Sequence, residues 1–284
     1  MSQVQVRPMT EADVPQAAAV TIAAFEIDAS SPAAQATWEW RARYLLEQDP
    51  HGAFVTEHQG VVVGVAQAVI RDRLWILALL TVSPTLERPG GGDGRALLNA
   101  ALAYDRDTEA GLIMASNDPR ALRLYGSSGF ALRPTFQATG KVDAGLIPPL
   151  HPDITEVPAD QLHTLASISR AVRGAAHTQD FALALNRNGT IFRLGDRGFV
   201  VAIPGRGVWA LAALDEEAAT ALLWRGLAHV QDDAKTEIIF ITADQQWALK
   251  VLLAARLPFE SSGAIAVRGN PGPLTPYIPT GAVA

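Results

Sequence analysis

The chain has 284 residues, 49% of them hydrophobic, and carries 23 Lys and Arg against 29 Asp and Glu. This length exceeds one ordinary core and fits two domains of about 140 residues each. The formal net charge of −6 provides no basic surface for nucleic acid or for an anionic membrane, so neither is expected as a partner. The absence of cysteine excludes disulfides, thiolate nucleophiles and cysteine-based metal sites.

The remaining compositional signals also point to an ordinary intracellular protein. The six histidines are scattered without the HExxH spacing of a zinc site, so no metal is expected. The N-terminal segment MSQVQVRPMTEADVPQ has an early acid and lacks the apolar core of a secretory signal. No apolar run reaches the ~18 residues that a membrane span requires. These patterns predict a cytoplasmic protein.

The first half predicts the order strand, two helices, three strands, helix, strand, helix, strand. Val4 and Val6 alternate with polar residues as in an opening strand, and Thr10 precedes an apolar-periodic helix with acids in its first turn. A second helix is predicted around TWEWRARYLLEQ, and Gln59-Gly60 joins two apolar runs as a hairpin does. LWILALLTV then predicts a buried strand, and it is followed by the helix RALLNAALAYDRD, the strand LIMAS, the helix PRALRLYGSSG and the strand FALRPTFQATG.

The second half partly repeats this order after a linker marked by Pro148, Pro149 and Pro152. It predicts the helix ADQLHTLASISRAVR, the strands GFVVAIPG and VWALAAL, the helix EEAATALLWRGLAHV, the strand TEIIFITA and the helix DQQWALKVLLAARL. ALLNAALA at Ala96 overlays ALLWRGLA at Ala221 with an offset of 125, and the Ala-Leu-Arg and Ala-Leu-Lys segments near the next helix overlay with an offset of 127. We interpret this as an internal duplication. A chance likeness of two amphipathic helices is the alternative.

Two polar segments of the second half have less specific patterns. The group Arg170, Arg173, His177 and Asp180 is predicted to form a solvated helix face. The Pro-rich tail NPGPLTPYIPTG is expected to lie extended along a surface.

Glycines cluster between a buried strand and a helix in LTVSPTLERPGGGDGRALL. Without Cβ atoms they let backbone N–H groups approach a ligand, and the following helix N-terminus adds partial positive charge. The segment therefore predicts an anion site suited to a pyrophosphate, with a flexible turn as the alternative. A P-loop is excluded because the Lys and hydroxyl are missing, and the GxGxxG dinucleotide pattern fails at Arg95 and Leu97.

A second segment, SNDPRALRLYGSSGF, carries Asn117, Ala121, Tyr125, Gly129 and Phe130 at a defined spacing. With the V-x-P strand end and the glycine loop that precede it, this segment resembles the GNAT N-acetyltransferase superfamily, whose helix reads N-x-x-x-A-x-x-x-Y-x-x-x-G-F. The resemblance covers residues 1 to about 145 and extends to the second half only through the repeat.

This resemblance implies an α/β (α+β) fold of two tandem GNAT-like domains, each a mixed, mostly antiparallel central sheet flanked by helices. Residues 1–147 would form the acetyltransferase domain with the acetyl-CoA site, and residues 153–284 a degenerate GNAT-like domain. The first domain alone is expected to retain cofactor binding. The second would complete the substrate cleft or replace a dimer partner, so that the protein is a monomeric pseudo-dimer or a homodimer.

The resemblance also assigns residues to the cofactor. Backbone groups near the end of the buried strand would pair with the pantetheine arm, the loop would hold the pyrophosphate, and Asn117 would order the arm or its water. The cofactor-binding residues implied are Leu80, Thr81, Val82, Arg88, Gly90, Gly91, Gly92, Asp93, Gly94, Arg95, Asn117 and Tyr125. No metal takes part.

Tyr125 would act as the general acid that protonates the leaving thiolate. Glu26 is the candidate general base, with Asp28 beside it, because both follow the first helix where relatives place substrate-facing residues; water alone is the alternative. Each motif residue also has a structural interpretation. Asn117 is placed to cap a helix, Tyr125 and Phe130 could be core residues, and Gly129 could end the helix.

The loop departs from the family pattern. Glu87 lies three residues after the loop proline and Arg88 four after it, so that the loop is about two residues longer than the family pattern. Pro89 lacks an N–H group. We therefore expect a looser or differently shaped grip on the cofactor.

The second half has lost the corresponding residues. An offset of 125 places Asp215, Glu217 and Ala219 opposite Gly90, Gly92 and Gly94, and acids there would repel a pyrophosphate. An offset of 127 places Asp244, Leu252 and Leu257 opposite Asn117, Tyr125 and Phe130, which removes the thiolate acid.

The sequence thus predicts an N-acetyltransferase that moves an acetyl group from acetyl-CoA to a primary amine of a small molecule by direct attack. A catalytically idle acyl-CoA-binding or regulatory module is the alternative from another class. Mycothiol-synthase-like acetyl transfer is a third possibility with the same tandem layout.

Overall fold

The structure, a computed structural model, describes residues 5–85, 92–105, 107–230 and 235–284. Its strands are β1 Val6–Pro8, β2 Ala53–His58, β3 Val61–Arg71, β4 Leu74–Val82, β5 Ala110–Ala115, β6 Ala131–Lys141, β7 Ile154–Glu156, β8 Thr190–Leu194, β9 Gly198–Ile203, β10 Gly207–Ala213, β11 Lys235–Thr242, β12 Phe259–Gly269 and β13 Tyr277–Ile278. Its α-helices are α1 Val14–Ala24, α2 Pro32–Gln48, α3 Asp93–Ala103, α4 Pro119–Ser127, α5 Ala166–Arg173, α6 Ala182–Leu185, α7 Glu216–Leu227 and α8 Gln246–Ala254.

Chain contacts define two compact units. The first contains Met1–Ile70 and Trp75–Thr108, and the second contains Arg71–Leu74 and Glu109–Ala284. This division differs from the predicted one, because β5, α4 and β6 cluster with the second unit. The predicted boundary at residues 147–153, between the two repeats, therefore remains a prediction.

The first unit is built on strands in the order β1-β2-β3-β4. Gln59 and Gly60, which join β2 and β3, have φ of 53° and 81°, as a tight hairpin turn requires, so the predicted hairpin is confirmed. Apolar residues of α1, α2 and the sheet form one core, including Val14, Leu46 and Val65. No helix within the described ranges is long and apolar enough to cross a bilayer.

Local capping explains where the first helices begin. Thr10 and Asp13 form a capping box around a short 3-10 turn that leads into α1. Ser31 accepts a hydrogen bond from the Ala34 N–H, and Pro32 occupies the first helical position. Helix α2 consequently starts five residues before the apolar segment that predicted it.

The second unit holds strands of two sheets. One has the order β5-β12-β6-β11, and the other has the order β13-β10-β9-β8-β7. Neighbouring strands in both of these orders pair antiparallel. Helices α7 and α8 pack on these strands through Leu222, Leu223, Trp247 and Leu252. The predicted fold, with mixed and mostly antiparallel sheets flanked by helices, is confirmed.

The element order of the first half, from β1 to β6, recurs from β7 to β12. Helices α4 and α8 each have nine residues and start 127 residues apart, and β6 and β12 each have eleven and start 128 apart. Helices α3 and α7 begin at Asp93 and Glu216, an offset of 123. The structure therefore supports the duplication at the level of whole elements.

The two repeats exchange their last strands. Strand β12 of the second repeat lies between β5 and β6 of the first, and β6 pairs on its other edge with β11. Residues 1–147 alone would leave β5 and β6 without the strand that joins them. This pairing argues against the expectation that the first half functions alone.

Two expectations about the second half are wrong. The tail is not a surface strand: Tyr277 and Ile278 form β13, pair with β10 and are 1% exposed. Arg173, His177 and Asp180 do not form a solvated face, because all three are fully buried.

This buried group is stable because partners distant in sequence satisfy it. The Arg173 guanidinium donates to the backbone oxygens of Val283 and Ala284, at 2.8 and 2.9 Å. His177 lies 3.0 Å from the Ser169 hydroxyl and 3.1 Å from the Tyr277 hydroxyl. Burial holds the pKa of His177 well below its ordinary value, so the ring is neutral and its role is structural.

Candidate active site

The N-terminus of α3 has the backbone geometry of an anion site. Gly92 occupies the N-cap position with φ of 97°, and no side chain caps the helix there. The first N–H groups of a helix lack partners within it and carry its positive partial charge. Gly94 and Arg95 lie in this first turn. The predicted loop residues Arg88, Gly90 and Gly91 lie outside the described residues.

Asp93 opens α3 and does not resemble a phosphate ligand. Its side chain is 3% exposed, and its Oδ1 lies 3.3 Å from His58 Nε2. A carboxylate in a first turn stabilises the helix but repels an anionic ligand. Of the predicted cofactor residues, Asp93 could thus contribute through its backbone only.

Near the end of β4 lie two hydroxyls without a hydrogen-bond partner among the described residues, together with a glycine. The Thr81 hydroxyl is buried with no hydrogen-bond partner in the described structure, and so is the Thr56 hydroxyl on β2. Gly64 on β3 lies close by, since a Cβ there would stand 2.6 Å from Thr56 Oγ1 and 3.3 Å from the Thr81 carbonyl oxygen. The flanking residues Leu80 and Val82 are partly buried.

Asn117 does not cap α4. Asp118 is the N-cap, and its carboxylate accepts a 2.8 Å hydrogen bond from the Arg120 N–H. The Asn117 amide instead donates to the Ser261 carbonyl at 3.1 Å and accepts from the Gly263 N–H at 2.6 Å. Asn117 therefore holds an irregular segment of β12, where the register with β6 shifts.

That segment requires its glycine. Gly263 has φ of 57°, and a Cβ there would stand 1.9 Å from the Ala115 carbonyl oxygen at the end of β5. The second repeat thus supplies the strand that Asn117 grips, and α4 is anchored to β12.

Tyr125 lies on α4 and is 5% exposed. In the described part of the chain, no group forms a hydrogen bond with its hydroxyl. Burial, with a smaller contribution from the nearby Asp118 charge, raises the pKa of this phenol above its ordinary value of 10.0. Tyr125 is therefore a protonated and uncommitted donor at neutral pH.

The end of α4 matches the motif's structural interpretation. The Phe130 N–H donates to the Tyr125 carbonyl at 3.3 Å, and Gly129 adopts φ of 88°, as in a left-handed helix end. Phe130 is 4% exposed and belongs to the core.

The base candidates follow α1 on an exposed segment. Glu26 has φ of 51°, and no described residue pairs with its carboxylate. Asp28 accepts a hydrogen bond from the Ser30 N–H at 3.2 Å. Hydrogen bonding to the Ser30 side chain, and then to its backbone, lowers the pKa of Asp28. Among the described residues, no group of three potential metal ligands occurs.

Arg41 contacts β4, and no sequence motif indicated this residue. This residue lies on α2, and its Nη2 donates to the Ala78 carbonyl of β4 at 2.9 Å. Its guanidinium lies 5.6 Å from the centre of the Trp38 ring. The residue sits in an amphipathic segment without a motif, so no local signal marked it.

The start of α7 is occupied by the protein's own carboxylates. Asp215 accepts from the Ala218 N–H at 2.9 Å, and Arg197 binds both Asp215 and Glu217, at 2.7 and 2.8 Å. Leu252, opposite Tyr125 in the repeat, is fully buried. The second repeat thus has neither an open helix N-terminus nor a phenol at these positions.

Comparisons with known proteins give one family match, over part of the chain. Residues 20–130 match the model of the acetyltransferase (GNAT) family. A comparison with curated proteins finds no match at the sequence level.

Three solved structures show the extent of the fold. A Pyrococcus horikoshii protein described as an acetyltransferase has a TM-score of 0.80 at 16% identity, with 100% of this chain and 97% of that chain covered. A GCN5-related N-acetyltransferase from Sphaerobacter thermophilus has a TM-score of 0.60 at 16% identity, with 96% and 98% covered. A tandem GNAT protein from the clavulanic acid biosynthesis pathway has a TM-score of 0.60 at 15% identity, with 94% and 98% covered.

At these identities the structures establish the fold only, and they share it over nearly the whole chain. The family match supplies the class of enzyme, and it covers β4, the start of α3, and α4 with Tyr125. Residues 20–130 therefore match the acetyltransferase (GNAT) family within a fold like that of tandem GNAT proteins, and the match supports an acyltransferase.

Proposed function

We propose that this protein transfers an acetyl group from acetyl-CoA to the primary amine of a small molecule by direct attack. The observation that carries the proposal is Tyr125, a buried residue whose hydroxyl has no hydrogen-bond partner among the described residues and whose pKa is raised. The raised pKa keeps the phenol protonated at neutral pH. Tyr125 is therefore available as the general acid at the departing sulfur.

The described residues fit acetyl-CoA, with the exception of the negatively charged Asp93. Gly92 leaves the start of α3 without a side-chain cap, as a pyrophosphate site needs. The unpartnered Thr81 hydroxyl offers a polar group where the pantetheine arm is expected. Asp93 opposes a phosphate, but its carboxylate faces His58. Acetyl-CoA supplies the acyl group as a thioester, and no metal is required.

In the proposed reaction the amine nitrogen forms a bond to the acyl carbon while the bond from that carbon to sulfur breaks. The Tyr125 phenol gives its proton to the departing sulfur, and the amine loses a proton to Glu26, Asp28 or water. Glu26 is the preferred base because its carboxylate is exposed and has no partner among the described residues. The reaction needs no covalent bond between the acetyl group and the protein.

A catalytically idle acyl-CoA-binding module is the second candidate. The buried Asp93 carboxylate at the helix start favours it, because repulsion of the pyrophosphate would weaken a catalytic grip. Mycothiol-synthase-like acetyl transfer is a third candidate, supported by the tandem layout alone. The strand exchange between repeats favours a monomeric pseudo-dimer, and the proposal places the protein in the cytoplasm.

A screen of diverse primary amines with a free-thiol readout separates these candidates. The proposed function predicts acetyl-CoA-dependent thiol release with at least one amine. Binding of acetyl-CoA without thiol release in the whole panel would identify the idle module. Release only with a mycothiol precursor would identify the third candidate.

A further inference from the structure

Helix α2 places a cation, Arg41, next to the proposed reaction strand, and no acid among the described residues pairs with it. Arg41 is partly buried, and only burial shifts its pKa, which falls to about 10. An acid facing the guanidinium would raise that pKa instead. Within the described ranges no carboxylate pairs with Arg41, whereas its neighbour Arg43 pairs with Glu11.

The hydrogen bonds of Arg41 leave most of its donors unused. Nη2 binds the Ala78 carbonyl, while Nε and Nη1 have no partner in the described structure. Neither nitrogen is fully buried, so solvent or a ligand can reach both of them. A guanidinium with one nitrogen fixed and two available is suited to a carboxylate, which it can bind in a bidentate way.

The position of Ala78 limits how far such a ligand can extend. Ala78 precedes Leu80 by two residues, which is about 7 Å along a strand. The proposed function, on which this inference rests, places the thioester arm at Leu80 to Val82. A small molecule whose amine and carboxylate are separated by a few bonds could span that distance, with the Trp38 ring as an apolar wall beside Arg41.

We infer that Arg41 binds the carboxylate of the acceptor and that the acceptor class is therefore small amino carboxylates, such as amino acids. Arg41 is a specificity residue in this role, since it contacts the acceptor and takes no part in proton transfer. The competing explanation is that Arg41 only ties α2 to β4.

The test compares acceptors that differ in one group. Twenty amino acids and their corresponding amides are assayed with acetyl-CoA on the full chain and on Arg41→Gln. We expect the full chain to prefer acids by roughly 10-fold or more in kcat/KM, because a site built for a charged group rejects the analogue that lacks it. Arg41→Gln should lose that preference through KM.

Arg43→Gln is the matched control, since Arg43 lies on the same helix with its guanidinium on Glu11. This variant should keep the preference. Arg41→Lys should restore part of it, because the charge returns without the planar fork. Equal loss for acids and amides in Arg41→Gln, or no preference in the full chain, would overturn the inference.

Failure of the proposed function gives a different result. If no amine releases thiol, calorimetry with the same amino acids still tests Arg41. Binding to the full chain and to Arg43→Gln but not to Arg41→Gln would support the carboxylate site. If none of these proteins binds the amino acids, the inferred carboxylate site is contradicted.

Discussion

The starts of α3 and α7 are equivalent positions in the two repeats, but only α7 has a side-chain cap for its first N–H groups. Both helices expose unpaired N–H groups at their first turn. Asp215 satisfies one such group in α7, and Arg197 neutralises the acids around it. In α3 the cap is Gly92, which offers no side chain. One repeat thus caps its helix N-terminus with a side chain, whereas in the other no side chain caps the helix, and we propose that this end binds an anion.

The second repeat nevertheless remains essential to the first. Its strand β12 joins β5 to β6, and its backbone at Ser261 and Gly263 holds Asn117 beside α4. The second repeat thus supplies an interior strand of the sheet to which the other repeat's motif helix is anchored.

Separation of the repeats should have the largest effect. We expect residues 1–147 expressed alone to show no cooperative unfolding and no acetyl-CoA binding, because the pairing of β5 and β6 with β12 is lost. Thermal unfolding followed by circular dichroism and calorimetry would measure both. As a control, the full chain cleaved within the linker at residues 148–152 should stay assembled. A stable 1–147 fragment with normal acetyl-CoA affinity would show that the strand exchange is dispensable.

Removal of the phenol should have the next largest effect. Tyr125→Phe is expected to lower kcat roughly 100-fold, as for loss of a general acid. The KM for acetyl-CoA should change by no more than about twofold, because the hydroxyl acts only in the transition state.

Tyr277 of the second repeat provides the matched control. It is also buried, with a raised pKa, but its hydroxyl is engaged by His177. Tyr277→Phe should reduce stability and leave kcat unchanged in steady-state assays below the unfolding temperature. Equal kcat losses in both variants would indicate that Tyr125 is a structural residue.

The third prediction introduces a carboxylate, as found at the start of α7, into the first turn of α3. Gly94→Asp should raise the KM for acetyl-CoA about 10-fold, since one more carboxylate in the first turn of α3 repels the pyrophosphate. Gly94→Asn has a similar shape without the charge and should cause a smaller rise. If both variants behave alike, size rather than charge governs the effect, and the anion site at α3 is not supported.

The smallest effect is expected from the opposite change in α7. Asp215→Ala should lower the free energy of unfolding by about 1 kcal/mol through loss of the N-cap. The nearby Glu216→Ala, at a position that does not cap, should change it less. Chemical denaturation measures the free energy of unfolding of both variants. If the acetyl-CoA affinity is unchanged in both, the role of Asp215 is purely structural.

The pH dependence of this cap has a defined sign. The Arg197 hydrogen bond lowers the pKa of Asp215 below the ordinary value of 3.8. A lowered folded-state pKa contributes stability above the unfolded value and loses it as the pH falls through the folded value. The difference between the original chain and Asp215→Ala should therefore shrink below pH 3.8.

Motifs and local periodicity predicted most of the elements and the family. Glycine at the start of α3, Tyr125 on α4 and the hairpin at Gly60 follow from short-range chemistry that a sequence displays. The exchange of β6 and β12 could not be predicted, because strand pairing across more than 120 residues leaves no local signal. Both strands alternate equally well with any neighbour.

The buried polar group was mispredicted for a related reason. Arg173, His177 and Asp180 were predicted to form a solvated face, yet all three are buried. Residues 277–284 provide partners for Arg173 and His177, and Arg71 donates to the Asp180 carboxylate. The role proposed for Arg41 could not be predicted, because it depends on the absence of an acid partner among the described residues, and a sequence does not show which charges meet. Local patterns thus led to the proposed site residues, whereas the strand pairing that holds α4 in place is long-range.

A crystal structure of the full chain with acetyl-CoA would decide where the cofactor lies. We expect the pyrophosphate at the N-terminus of α3, beside Gly92 and Gly94, with the Tyr125 hydroxyl facing the sulfur. Pyrophosphate bound at the start of α7, beside Asp215, or a sulfur remote from Tyr125 would contradict the proposed site.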